Sequence, residues 1–162
     1  MNLNNIKLVI SEVDGIITEG LTGFGELNTP MFKQFNMKDF EAINLIKKNW
    51  GFVFISTDAA INASMCKRRN IPFYFAERSK KEVYGHITQR FSVLPDNVLY
   101  VGTTYSDIDC LRMSGFSICP EDSVPQVKNV SDYVVPMYSG TGVLCYVYEL
   151  LREAKIKADR DE

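Results

Sequence analysis

The sequence has 162 residues, 46% of them hydrophobic and 23% charged, with a formal net charge of −2. That length suits one globular domain with a sizeable core, and the near-balanced charge offers no general attraction for nucleic acid or an anionic membrane. No run approaches the roughly 20 apolar residues of a membrane span, and the polar stretch Met1 to Lys7 leads straight into a strand rather than forming a signal peptide. Cys66, Cys110, Cys119 and Cys145 are dispersed and form no CxxC pair, which fits buried thiols in a reducing cytoplasm better than a zinc site.

Taken in chain order, Ile6 to Ile10 is a short apolar run that reads as a buried parallel strand ending in an acidic loop with Gly15. Residues 21–36 alternate around Phe24 and Met31 to Phe35 and predict a β-hairpin turning over Glu26 to Pro30. Met37 to Asn49 has helical spacing and stops at Gly51. A strand follows over Phe52 to Ile55, with Ser56, Thr57 and Asp58 as the start signal for a helix over Ala59 to Asn70. After a brief strand, Phe73 to Phe75, Ser79 opens a helix to about Phe91 with Glu82 completing a capping box. Strands over 98–101, 116–119 and 133–135 alternate with short helices over 106–115 and 124–129. An amphipathic helix follows Gly142. Residues 1–155 thus form one domain, and the charged segment 156–162 is expected to fray. This alternation predicts an α/β architecture, a three-layer doubly wound parallel sheet with a hairpin inserted after the first strand. Ligands in such sheets bind beyond the carboxyl ends of the strands.

The loops at those ends carry Glu12 and Asp14, Thr57, and Asp107, with Lys81 at the start of the helix opened by Ser79. Carboxylates, a hydroxyl and an ammonium in one crevice suit magnesium and phosphate, because magnesium takes oxygen ligands and phosphoryl transfer needs charge neutralisation above all. The same residue types also serve as ordinary caps at strand-to-helix turns. His86 is the only histidine, which disfavours a histidine-dependent triad. The first strand has no G-x-G-x-x-G turn, which disfavours a dinucleotide site.

The segments "VISEVDGIITEG", "FISTDAA", "SKKEVYG" and "LYVGTTYSDIDCLRMSGFSICPED" resemble, in order, the four motifs of the haloacid-dehalogenase superfamily. With the hairpin, "FNMKD" and "SGTG", they resemble more narrowly its capless phosphatases of 3-deoxy-D-manno-octulosonate 8-phosphate. The resemblance covers about residues 5–152. It implies a Rossmann-like fold and a magnesium-dependent phosphatase. Glu12 stands at the nucleophile, usually aspartate, and Asp14 at the general acid/base. Thr57 and Lys81 stand at the phosphate-binding hydroxyl and lysine. Glu12, Asp14 and Asp107 stand at the metal site, and Lys38 and Thr141 at substrate positions.

The same resemblance marks departures. Thr103 and Thr104 stand where two aspartates are usual, Thr141 where an arginine is usual, and Phe40 where a glycine is usual. They imply a weakened or inactive relative, acting as an oligomerisation or partner module in sialic-acid or octulosonate metabolism. The C-terminal module of animal CMP-sialic acid synthetases is a similar case. The alternative is a working phosphatase of an octulosonate 8-phosphate or nonulosonate 9-phosphate. The family resemblance further implies a cytoplasmic homotetramer through the hairpin and a cytidylyltransferase or synthase as partner.

Overall fold

The computed structural model describes residues 3–161. Eight strands are present: β1 (Leu8–Glu12), β2 (Gly23–Phe24), β3 (Pro30–Phe32), β4 (Gly51–Ser56), β5 (Phe73–Phe75), β6 (Val98–Val101), β7 (Phe116–Pro120) and β8 (Tyr133–Val135). Among the described residues six α-helices accompany them, besides short 3-10 turns: α1 (Met37–Ile46), α2 (Asn62–Arg68), α3 (Lys80–Phe91), α4 (Ile108–Met113), α5 (Pro125–Val130) and α6 (Val143–Asp161).

Six strands form one parallel sheet in the order β5-β4-β1-β6-β7-β8. β1 lies between β4 and β6, and all five of its residues are buried. Successive strand side chains point to opposite faces. Accordingly Val9, Phe52, Phe54, Leu99 and Val101 join the core beneath α1, α2 and α6, while Leu8, Ile10, Val53, Ile55 and Tyr100 join the one beneath α3, α4 and α5. Burial on both faces is the reason these strands read as continuous apolar runs. The predicted three-layer fold is observed. The hairpin β2–β3 forms a separate two-stranded antiparallel sheet, and its turn holds Leu27 and Asn28 at left-handed φ values of 59° and 57°.

Three boundaries differ from the sequence reading. β1 extends to Glu12, so this acid sits in the strand rather than in the loop after it. α2 begins at Asn62, because Asp58 Oδ1 accepts from Ala60 N at 3.0 Å and shapes a turn before the helix. The segment expected to fray from residue 156 continues α6 through Asp161. Ion pairs one turn apart line this helix, Glu149–Arg152 at 2.7 Å and Lys155–Asp159 at 3.9 Å, and the second reaches into that segment. No helix among the described residues is long and apolar enough to cross a membrane.

Candidate active site

The carboxyl ends of β1, β4 and β6 open on one crevice, and two ionic clusters fill its floor. In the first, Lys80 donates through Nζ to Glu12 Oε2 and, at 2.6 Å, to Asp107 Oδ1. All three side chains are buried, Lys80 and Glu12 at 3% and 4% exposure and Asp107 at none. Glu12 Oε1 folds back to accept from Val13 N at 2.8 Å and Asp14 N at 3.4 Å. Burial raises the Glu12 pKa more than the Lys80 ammonium lowers it, and Asp107 adds to the rise. For Lys80 burial acts downward, but the charges of Glu12 and Asp107 prevail and hold it above its ordinary value.

Of the two neighbouring lysines, Lys80 is the one that meets Glu12 and Asp107, whereas Lys81, the expected one, is exposed. Ser79 caps α3 by accepting from Glu82 N, so Lys80 occupies the first helical position and points back over the sheet. One further residue turns about 100° around the helix, which carries Lys81 into solvent. The pair "KK" gives no hint of which lysine faces in.

Asp107, expected at the metal site, is wholly buried and engaged by protein donors. Its Oδ1 accepts from Lys80 and from Tyr100 Oη at 2.7 Å, and its Oδ2 from the amides of Thr103 and Thr104 at 2.9 and 3.0 Å. With Thr104 it completes a capping box that folds the loop after β6. Burial, then the Asp107 charge, pushes the Tyr100 pKa well up, so Tyr100 stays a donor. Asp107 therefore orders the loop and anchors Lys80. Thr103 takes the place beside Glu12's strand. Its hydroxyl pairs with Ser123 Oγ at 3.1 Å. Its methyl group lies over Gly15, where an added Cβ would come within 2.6 Å of it.

The second cluster surrounds Asp14. Its Oδ2 accepts from Lys33 Nζ at 2.7 Å and Asn62 Nδ2 at 2.8 Å, and its Oδ1 from Thr18 Oγ1 at 3.3 Å. Lys33 also pairs with Asp58 at 2.7 Å. Neither Lys33 nor Asn62 emerges from sequence reasoning. A lysine after an exposed hairpin strand and an asparagine in a helix look like ordinary surface residues.

Thr57 lies exposed one residue beyond β4, Lys38 is exposed in the first turn of α1, and Thr141 is exposed before α6. The Thr141 hydroxyl donates to Tyr138 O at 2.7 Å. The loop it belongs to reaches the crevice wall, because Gly140 N donates to Ile16 O and Asn36 Nδ2 to Gly140 O. Phe40 is buried core, with the Arg69 guanidinium stacked 3.6 Å from its ring centroid.

Whether these residues suit a divalent cation follows from their charges and donors. Among the described residues no group of three or more His, Cys, Asp or Glu side chains could hold a metal ion. At the β1 end Glu12 is buried, with Oε1 on its own strand-end amides and Oε2 on Lys80, while the Asp14 side chain is 24% exposed. When all are ionised, the two clusters carry four acids, Glu12, Asp14, Asp58 and Asp107, against Lys33 and Lys80. One divalent cation would cancel that deficit. Magnesium is commonly held by one or two carboxylates with waters and a substrate phosphate. The donor set thus fits a divalent cation in company with a phosphate, and fits it poorly alone.

A parallel sheet of this order, with one acid closing its first strand, a second just beyond it and a lysine returning from the helix after β5, fits a haloacid dehalogenase-like hydrolase. The chain belongs to that family, whose model matches residues 30–147. Among individual relatives, it is 29% identical over 158 residues to the 3-deoxy-D-manno-octulosonate 8-phosphate phosphatase of Escherichia coli K12, covering 96% of this chain and 84% of that one. It is 23% identical to the Haemophilus influenzae phosphatase of the same name, covering 96% and 88%. Two solved structures share the fold. One is the Moraxella catarrhalis octulosonate 8-phosphate phosphatase in complex with magnesium, phosphate and KDO, with TM-score 0.87, 24% identity and 94% and 89% coverage. The other is the cobalt-bound Haemophilus influenzae enzyme, with TM-score 0.89, 24% identity and 95% and 91% coverage.

Proposed function

We propose that this chain is a divalent-metal-dependent phosphomonoester hydrolase for a small sugar acid phosphate, and that it turns over slowly. The observation that carries this reading is the convergence of Glu12, Asp14 and the Lys80–Asp107 pair at the carboxyl ends of β1 and β6. A nearly full-length likeness to octulosonate 8-phosphate phosphatases supports it. The substrate class is a 3-deoxy sugar acid phosphate, an octulosonate 8-phosphate or a nonulosonate 9-phosphate, and the setting is cytoplasmic.

Within that reading, Glu12, the Asp14 carbonyl and the Thr103 hydroxyl would hold magnesium together with the substrate phosphate. The ion, when bound, would offset phosphoryl charge. Glu12 would have to swing an oxygen off Lys80 to attack phosphorus in line, and Lys80 would then neutralise charge gathering on the phosphoryl oxygens. Thr57 offers its hydroxyl to the phosphate. As a Glu12 oxygen bonds to phosphorus and the sugar O–P bond breaks, Asp14 gives its proton to the departing sugar oxygen; it then takes one from water attacking the acyl phosphate, which releases phosphate and frees the Glu12 carboxylate. Lys38 and Thr141 line the way in for the sugar acid. The slowness has a geometric cause. Glu12 is one methylene longer than aspartate and folded onto its own strand-end amides. A displacement of about 1 Å in a reacting group can cost about 10²-fold.

The test is phosphate release from p-nitrophenyl phosphate and from both sugar acid phosphates, with magnesium and with excess chelator. Release that needs magnesium and disappears in Asp14→Asn supports the reading. No release above the chelator control with any of the three substrates sinks it.

A second reading is favoured by one observation. Both lysine clusters close over the acids, while the hairpin leaves Leu21, Phe24, Leu27, Met31 and Phe32 exposed. On that reading the chain is an oligomerisation or partner module for a cytidylyltransferase or synthase of sialic-acid or octulosonate metabolism. The expected assembly on either reading is a homotetramer through the hairpin.

A further inference from the structure

All three residues of β3 are exposed, yet Lys33, the next residue, turns inward until its side chain is 1% exposed. Its Nζ reaches Asp14 and Asp58 at 2.7 Å each and Asn62 Oδ1 at 3.4 Å. Asn62 Nδ2 then donates both to Asp14 Oδ2 and to the Asp58 carbonyl, at 2.8 and 3.0 Å. The loop after β1, the hairpin, and the turn into α2 therefore meet at one ammonium. Burial acts to lower the pKa of Lys33, but its hydrogen bonds with the two carboxylates outweigh that and keep it charged.

The hairpin needs such a fastening. Its two strands pair with each other and not with the six-stranded sheet. An isolated two-stranded hairpin is marginal in water, and this one exposes most of its apolar side chains. Charge-assisted hydrogen bonds are the stronger kind, and here two of them leave the base of the hairpin and end in the crevice.

We propose that Lys33 is a positioning residue that locks the Asp14 side chain to α2 and, through the same contact, fastens the β2–β3 hairpin to the site. Asp14 and the hairpin then hold each other. Load placed on the exposed face of the hairpin is transmitted to Asp14 through one side chain, and loss of the Asp14 carboxylate loosens the hairpin. The inference uses the proposed reaction only in naming Asp14 as the acid, and its test is independent of turnover.

Hydrogen exchange of the full chain is followed in the native protein and in Lys33→Met, Lys33→Arg, Asp14→Ala and Lys33→Met with Asp14→Ala. The amides to watch are Gly25 and Thr29, which are bonded within the hairpin, and Asn36, which donates to Ile17 O. Lys33→Met and Asp14→Ala should each speed their exchange about tenfold, with β1 and β6 unchanged. The double variant should do no more than either single one, and Lys33→Arg should recover most of the protection. Unchanged exchange of those amides in either single variant would overturn the proposal. So would equal loss across β1 and β6, which would make Lys33 a general fold residue. If Lys33→Met does not fold, Asp58→Asn removes one ionic partner at a site whose side chain is 41% exposed, and it should loosen the same amides to a smaller degree. If phosphate release is measurable, Lys33→Met should lower kcat with KM nearly constant, since the lysine positions Asp14 rather than the substrate.

Discussion

At position 12 a single methylene decides where a carboxylate ends up. Glu12 is anchored in β1, so the extra length is absorbed by folding back onto Val13 N and against Lys80. Across the crevice, Thr103 presents a methyl group and a hydroxyl where an acid would add negative charge for a cation. Restoring both, Glu12→Asp with Thr103→Asp, should raise magnesium-dependent phosphate release by about 10²-fold or more, measured with p-nitrophenyl phosphate. Glu12→Asp alone should gain less. The lysines give a second prediction. Lys80→Met would leave Glu12 and Asp107 buried without a counter-charge and should cost about 3–5 kcal/mol. Lys81→Ala should stay within about 0.5 kcal/mol of the native protein. Urea denaturation of both variants reads the difference, and equal losses would contradict the assignment of Lys80 to the site.

Among the elements, α1 and α6 are joined by a buried acid. Asp39 Oδ1 accepts from Leu144 N at 2.9 Å and Cys145 N at 3.3 Å, so a side chain of α1 caps the start of α6, while Oδ2 is buried with no hydrogen-bond partner among the described residues. Burial pushes its pKa up to about 6, with the two amides acting the other way. A carboxyl whose pKa is higher in the folded protein than in the unfolded chain stabilises the fold when protonated. Its contribution is complete below about 4 and is lost as pH rises through about 6. A shift of about two units corresponds to roughly 3 kcal/mol as an upper bound. Asp39→Asn should therefore flatten the change in melting temperature between pH 4.5 and 6.5, as read by calorimetry at several pH values. Asp39→Ala removes the cap as well and should cost about 1 kcal/mol on that account.

For the whole molecule, the sheet is covered on both faces by helices, and Leu21, Phe24, Leu27, Met31 and Phe32 form a run of exposed apolar side chains in and beside the hairpin. Leu27, at its tip, is 98% exposed. The proposed tetramer would cover it. Light scattering at micromolar concentration should give four times the chain mass, and Leu27→Asp with Phe32→Asp should shift the mass downward while leaving the far-ultraviolet circular dichroism unchanged. A native protein that is monomeric at high micromolar concentration would remove the tetramer from the reading.

The sequence by itself determined the layers. Runs such as LVI and FVFI are apolar at consecutive positions and too short for a helix between turn signals, which suits a strand covered on both faces, and Gly, Ser and Thr mark where several strands turn toward a helix. It also determined the family, because motif order survives local substitution. It carried Glu12, Asp14 and Asp107 to the strand ends on spacing alone. The tertiary structure decided which neighbour of two turns inward, as with Lys80 and Lys81, because a helix phase is set by its cap and packing rather than by composition. It decided that Asp107 binds backbone amides instead of facing the crevice, since buried amides must find acceptors. It also decided the place of Lys33 and Asn62, which lie 19 and 48 residues from Asp14. Such pairings depend on where the hairpin and α2 come to rest over the sheet, and no local pattern in the chain encodes that.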